Sequence, residues 1–320
     1  MRVATSNPHP CPVCSGDTRP HLTSRDYLYQ TTDAEFSIWK CRRCKAESIV
    51  PPPTSDDLRS YYPEKYYSYA KGSPGLFAKL RRLTVATSYG GQASRTEKVI
   101  GRVLAHHLAG VPLTHRGDSS FLDVGCGSGE NLRLLSAFGW RCAGFEVSGT
   151  ALDTSDHRIR RAPSLEEAEF DSTYSYIRVW HVLEHVVDPH PFVDKLAKLL
   201  APGGTIVFGL PNTASVYARL FGRRWYNRDI PRHVVNYDAR YLQLLMSEHD
   251  LMITHIRHQS VGGLAGSLQY LLADFGINVN LINNPLVVLA LWPLDIACDL
   301  LRLGDCVVVE AVAGPRHATQ

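Results

Sequence analysis

The chain reads as an α/β protein: a doubly wound Rossmann-like sheet, preceded by a small cysteine-built metal ribbon and followed by a helical cap. Three observations predict this. Phe121-Leu-Asp-Val-Gly-Cys-Gly-Ser-Gly-Glu130 is an apolar run that ends in an acid, passes through alternating glycines and leads into a helix-like segment. From there to Asn212 apolar runs alternate with amphipathic ones, the pattern of a parallel sheet with covering helices. Four of the eight cysteines form two C-x-x-C pairs near the N-terminus.

Composition sets the bounds. At 320 residues the chain can hold one large core and a small satellite. A net charge of +3 gives no electrostatic case for nucleic acid. Met1–Pro10 is polar, without the apolar stretch of a secretory signal, so the cysteines are expected in a reducing, cytoplasmic setting and bound to metal rather than paired as disulfides.

Residues 1–50 are read as the ribbon. Cys11-Pro-Val-Cys14 and Cys41-Arg-Arg-Cys44 can each place two thiolates on one turn. Four thiolates close a tetrahedral structural zinc shell and leave no open catalytic position. The gap between the pairs has room for a hairpin, expected as 25–29 against 36–40. Residues 51–118 form a connecting region. Pro51-Pro-Pro53 is a stiff link, Thr54-Ser-Asp-Asp57 caps a short helix, and covering helices are expected over 75–86 and 95–109. Five tyrosines lie within Tyr61–Tyr69. They are read as a seam between ribbon and core, or as a lid in which Tyr66 and Tyr67 touch an acceptor.

Residues 119–213 carry the cofactor site. Gly125, Gly127 and Gly129 let the backbone turn sharply and lie bare against a ligand. A single such turn is also an ordinary strand–helix corner, and a dinucleotide site would want glycine at the sixth position, where this chain has Glu130. Asp123 and Glu130 would repel a pyrophosphate and suit a positively charged ligand. The next strand, Trp140–Glu146, ends in an acid placed, roughly 20 residues on, where doubly wound folds bind ribose hydroxyls.

On these residues, over about 121–212, the chain resembles the class I S-adenosylmethionine-dependent methyltransferases. The resemblance implies a seven-stranded sheet and adenosyl binding at Asp123, Gly125, Cys126, Gly127, Glu146 and Val147, with Trp180 and His181 bordering the donor. The run His181-Val-Leu-Glu-His185, then Asp188-Pro, then Ala201-Pro-Gly-Gly204 and Pro211-Asn212 is similar to the subgroup that includes ubiquinone-type O-methyltransferases. Strands are expected at 157–160, 174–180 and 205–210, all ending on the ligand-binding edge.

Residues 214–320 are read as the acceptor cap: a helix over 214–222, the polar–aromatic loop 223–237, a helix over 239–248 capped by Asp238, a strand over 252–258 and a helix from 262 to about 275. Residues 286–303 are apolar but interrupted by Pro293, Asp295 and Asp299, which excludes a membrane span and suggests a buried cap helix. A membrane-surface contact or a homodimer seam are the other uses of such a stretch. The last strand, 305–312, is expected antiparallel at the sheet edge.

Methyl transfer needs an aligned acceptor and, where the acceptor holds a proton, a base. Histidine suits that role. His233 is the first candidate, followed by His185 and His181, with Glu184 as a partner for either neighbour. The ribbon together with Pro231-Arg-His-Val-Val-Asn-Tyr237 also resembles zinc-containing deoxysugar C-methyltransferases, whose Asp-Glu-His-x-x-Tyr-Phe run places a histidine at His233. Arg232 stands where that family has glutamate, and Tyr237 falls one position late. Arg232 could instead clamp an anionic acceptor, with Trp225, Tyr226 and Tyr237 as pocket walls. The expected function is methylation of a small molecule, a sugar or a natural-product intermediate. A lipid or RNA acceptor, or a non-catalytic zinc-ribbon binding protein, are the other readings.

Overall fold

The computed structural model describes residues 9–63, 111, 119–147, 156–260 and 262–314. Tyr66, Tyr67 and the helices expected over 75–86 and 95–109 lie outside them.

The ribbon holds three antiparallel strands, β1 (Thr18–Arg25), β2 (Glu35–Cys41) and β3 (Glu47–Ile49), followed by the short helix α1 (Ser55–Ser60). The hairpin starts earlier than the expected 25–29. The Asp26 carboxylate accepts hydrogen bonds from the Tyr29 and Thr31 amides and the Thr31 hydroxyl, and so turns the chain out of β1. Thr54 and Asp57 form the expected reciprocal capping box on α1.

The main sheet begins with β4 (Ser120–Val124), followed by α2 (Glu130–Ser136), β5 (Arg141–Val147), β6 (Ile159–Ala162) and β7 (Tyr174–Trp180). Then come α3 (Pro189–Leu199), β8 (Leu200–Pro211), α4 (Val216–Phe221) and the two-residue strand β9 (Val235–Asn236). The chain closes with α5 (Ala239–Glu248), β10 (Leu251–Gln259), α6 (Gly263–Ala273), α7 (Pro285–Leu300) and β11 (Cys306–Ala313). The seven-stranded order is β10-β11-β8-β7-β4-β5-β6. β4 to β8 run parallel, and β4 is buried along its whole length, as a strand covered on both faces must be. Leu122, Ile177, Phe208 and Val309 build the larger core, while Phe121, Leu132, Leu135 and Trp140 build a smaller one.

Two expectations are corrected. β11 is not an edge strand: it lies between β8 and β10 and is antiparallel to both. Its Val307–Val309 run is fully buried, which an edge position would leave half covered. The 286–303 stretch is not a buried helix. α7 runs unbroken through Pro293, buries Asp295, and leaves Leu286 at 75% and Leu300 at 80% exposure.

The ribbon does not stand apart. β9, from the loop after β8, pairs with β3, so the small sheet runs β1-β2-β3-β9. The ribbon and the 223–237 loop therefore share one hydrogen-bonded sheet.

Candidate active site

The parallel register places Asp123 of β4 beside Arg178 of β7. The pairing turns both side chains to one face, where Arg178 Nη1 donates to Asp123 at 2.7 Å and Asn131 Nδ2 donates to the other oxygen at 2.8 Å. Asp123 is wholly buried, so its charge is spent on Arg178 inside the sheet rather than shown to a ligand. Cys126 is likewise tied into the sheet. Its amide donates to the Phe145 carbonyl at 3.0 Å, and its buried side chain packs over Gly144.

The glycine turn is close-packed main chain, half-buried at Gly125 and buried at Gly127 and Gly129. Gly125 has φ +71°, and a Cβ there would come within 2.3 Å of Val182 Cγ2. Glu146 closes the turn from β5, accepting hydrogen bonds from the Gly127 amide at 2.9 Å and the Val147 amide at 3.2 Å. Burial pushes its carboxyl above the usual carboxylate range, against those two bonds. A cation brought beside Glu146 would favour its ionised form. The bare turn and this acid thus fit a sulfonium donor better than a phosphate. Trp180 lies at the end of β7 with its ring over Gly209, where a Cβ would fall 2.4 Å from it.

Three histidines converge just beyond that edge. His181 follows β7 with φ +53°, a left-handed backbone uncommon for a residue with a Cβ. Its Nδ1–H donates to Glu184 at 3.0 Å, and its side chain remains 30% exposed. Glu184 is fully buried. Burial alone would raise its carboxyl, but the His181 hydrogen bond and the surrounding imidazoles bring it down to about 2. His185 Nδ1 lies 3.0 Å from the Arg232 carbonyl and 2.8 Å from the Tyr62 hydroxyl. The carbonyl can only accept, so Nδ1 carries the proton and Nε2 the lone pair. His233 donates from Nδ1 to the Asn227 carbonyl at 2.9 Å, and its Nε2 sits 3.9 Å from both Glu184 and Asp229. Burial holds both rings neutral: His185 falls to about 4, helped by His233, and His233 falls below its ordinary value against the pull of Asp229 and Glu184. The two rings meet edge to face at 4.7 Å.

The remaining predicted acceptor residues are structural. Arg232 is fully buried between Asp26 and Asp229, at 2.7 and 2.6 Å, and also donates to the Tyr61 carbonyl. Against the cost of burial, those carboxylates push its guanidinium further up. It has no face left for a ligand, because the loop uses it to grip the ribbon. Trp225 is buried and donates from Nε1 to Asp305, and Tyr226 lies flat over Gly266 of α6. Tyr237 is fully buried in the larger core. Tyr62, Asp229, Asn227 and Asp305 were not anticipated. Only Tyr62 had a signal, as a member of the tyrosine cluster.

At the other end of the ribbon, Cys11 and Cys44 sulfurs lie 3.5 Å apart, as do those of Cys14 and Cys41, and all four fall within 4.8 Å of one another. A tetrahedral zinc shell has sulfur–sulfur edges of about 3.8 Å, so the donor set fits a structural zinc ion. The Val13 and Cys44 amides point at Cys11 and Cys41 sulfur, each at 3.4 Å, as thiolate knuckles require.

The family described as "Methyltransferase domain" matches residues 95–256. A ubiquinone biosynthesis O-methyltransferase of Burkholderia ambifaria is 29% identical over 158 residues, 45% of this chain and 64% of that protein. The Paraburkholderia xenovorans enzyme of the same name is 24% identical over 162 residues, 47% of this chain and 69% of that protein. Among solved structures, an S-adenosylmethionine-dependent methyltransferase from Archaeoglobus fulgidus is 16% identical, covering 69% of this chain and 95% of its own, with a TM-score of 0.41. The NodS N-methyltransferase of Bradyrhizobium japonicum with S-adenosyl-L-homocysteine is 15% identical, covering 73% of this chain and 98% of its own, with a TM-score of 0.40. The family match spans half of the chain and contains both the glycine turn and the histidine segment after β7; the chain belongs to the class I S-adenosylmethionine-dependent methyltransferases.

Proposed function

We propose that the protein methylates a small-molecule acceptor, a sugar or a natural-product intermediate with a hydroxyl group, and that His181 is the base that takes the hydroxyl proton. The observation that carries this reading is the His181–Glu184 pair. His181 is 30% exposed and His185 is also half-buried, but of the three histidines only His181 has its Nδ1–H held by a buried carboxylate. Nε2 is then the lone-pair nitrogen facing outward, and Glu184 stabilises the imidazolium that forms. The left-handed backbone at His181 is backbone strain of the kind kept at functional positions. His233, the first candidate on sequence, is 5% exposed, with its Nδ1–H donated to the Asn227 carbonyl.

The donor would rest on the Gly125–Gly129 main chain with Glu146 toward its ribose and Trp180 at its flank. When bound it supplies an activated methyl on sulfur. The chain's own work is alignment and proton removal. The two ubiquinone biosynthesis enzymes named above are O-methyltransferases, which supports oxygen as the receiving atom. An oxygen acceptor also has use for a neutral base, which a thioether or an already free amine would not need.

The test is a screen of phenolic, sugar and polyketide-like hydroxyl compounds with isotopically labelled methyl donor. With an acceptor in hand, His181→Asn should lower kcat by about 10²–10⁴-fold while donor affinity, read by calorimetry, stays within a few-fold. Glu184→Gln should lower kcat less and shift the acidic arm of the pH–rate profile to lower pH. Full turnover in His181→Asn with loss in His233→Asn would return the role to His233.

A further inference from the structure

α7 is built inside out. Its polar side chains face inward: Asp295 is buried and accepts from the Tyr217 hydroxyl at 2.8 Å, and Asp299 accepts from the Ser260 hydroxyl at 2.7 Å and the Ser260 amide at 3.0 Å. These bonds fix the rotation of the helix, so it cannot roll to bury its leucines. Every outward position from Pro285 to Leu301 is then apolar. Leu286, Leu289, Leu294, Leu300 and Leu301 are exposed by 75, 60, 54, 80 and 70%. Ordinary side-chain areas put this face at roughly 500–700 Å², which is beyond the apolar patches single soluble chains usually leave bare. It approaches the roughly 800 Å² that each partner gives to a standard interface.

We infer that this face is where a second copy of the chain docks, with the two α7 helices packed antiparallel across a two-fold axis. The layout of side sizes on the helix supports that occupant. Small residues, Ala290, Pro293 and Ala297, flank Leu294 around the middle, and Leu286, Leu289, Leu300 and Leu301 sit toward the two ends. An antiparallel pair crosses at its small centre and sets each helix's terminal leucines against the partner's opposite end, which is the self-complementary contact a two-fold axis requires. The helix holds no lysine or arginine, whereas helices that lie in a bilayer surface carry basic side chains on their polar face. The inference rests on α7 alone and is independent of the base assigned above.

Sedimentation velocity of the zinc-loaded protein between about 1 and 100 μM should show a monomer–dimer equilibrium or a stable dimer. Leu289→Glu and Leu300→Glu, at opposite ends of the face, should each weaken dimerisation at least tenfold. Both positions are exposed, so melting temperature and donor binding should be unchanged. Ala290→Cys, near the axis, should cross-link to dimer on mild oxidation, and Met252→Cys on β10 should not. A monomer across the whole range, or a dimer indifferent to both glutamate substitutions, overturns the inference. So does a monomer that floats with phosphatidylglycerol vesicles and loses flotation in Leu289→Glu, because that would give the face to lipid.

Discussion

The donor edge and the acceptor loop sit side by side, yet they are held in different ways. At the donor edge the partners are nearer in sequence: the Gly127 amide bonds Glu146 from 19 residues away, Asn131 reaches Asp123 across 8, and Arg178 reaches it across 55. The acceptor loop is tied to distant ones. Arg232 pairs with Asp26 across 206 residues, Arg228 with Glu47 across 181, and Asn227 with Asp305 across 78. Burial opposes the ionised form of Glu47, but Arg228, His21 and Lys40 together hold its carboxyl far below the usual range. One half of the site is therefore a property of the sheet. The other half is a property of the contact between the loop and a ribbon that the metal organises, and the two should fail separately.

The largest expected effect tests that separation. Stripping zinc with a chelator, or Cys44→Ser, removes the shell on which the ribbon is built. Without it, β3 cannot hold β9, nor Asp26 and Glu47 their arginines. Displacement of catalytic groups by about 1 Å costs on the order of 10²-fold, so turnover should fall by at least that much. Donor affinity, measured by calorimetry, should stay within a few-fold, because among the described residues no hydrogen bond or ion pair joins the glycine turn or Glu146 to the ribbon. If donor affinity fell in step with turnover, the two halves would be one unit.

A smaller effect sharpens the same contrast. Asp123→Asn and Asp26→Asn each remove one carboxylate from a buried ion pair, a change that costs about 3–5 kcal/mol when nothing replaces it. Asp26→Asn should fall at the lower end, since Arg232 keeps Asp229 at 2.6 Å. Urea titrations give the two stabilities. The functional readouts should diverge: Asp123→Asn should weaken donor binding by loosening β4 under the turn, and Asp26→Asn should raise the acceptor KM while leaving the donor untouched.

This division also explains what the sequence could disclose. The glycines, Glu146, the strand pattern and the C-x-x-C pairs were legible, because each answers a local demand: a left-handed turn, an acid at a strand tip, two thiolates on one knuckle. The convergence of His181, His185 and His233 was legible as three nearby candidates, but not their order. The His181–Glu184 bond is local, three residues apart, but the burial of His233 arises only when the loop folds back. Arg232 and Trp225 looked like ligand contacts because a charged, aromatic loop after the fifth strand has the composition of a binding surface. Their true partners, Asp26 and Asp305, sit in other elements. Asp123 could be read two ways for a related reason. An acid before a glycine turn has one appearance in sequence whether it faces a ligand or a cross-strand arginine, and only the register with Arg178 decides. α7 inverted the ordinary rule that apolar positions face inward, because its two aspartates had buried partners on α4 and beyond β10.

The smallest expected effect is a difference in how the two halves respond to acid. His185 is pushed from 6.5 to about 4, chiefly by burial and then by His233. Between those values the unfolded chain holds a proton that the native ring refuses, so this group withdraws stability as pH falls from about 6.5 toward 4. Glu146 works the other way. Burial raises its carboxyl above 4.5, so the native state keeps a proton that the unfolded chain has released, and stability falls as pH rises through that region. In the wild type the two slopes oppose each other. Glu146→Gln removes the donor-edge term and should steepen the loss of melting temperature on acidification, while His185→Asn removes an acceptor-loop term and should flatten it. The zinc thiolates add the same acid sensitivity to every variant, so the differences between melting curves, measured at matched zinc occupancy, isolate the two groups. Parallel shifts in both variants would mean that neither group titrates as its surroundings require, and that the neutral pocket around His233 is open to water.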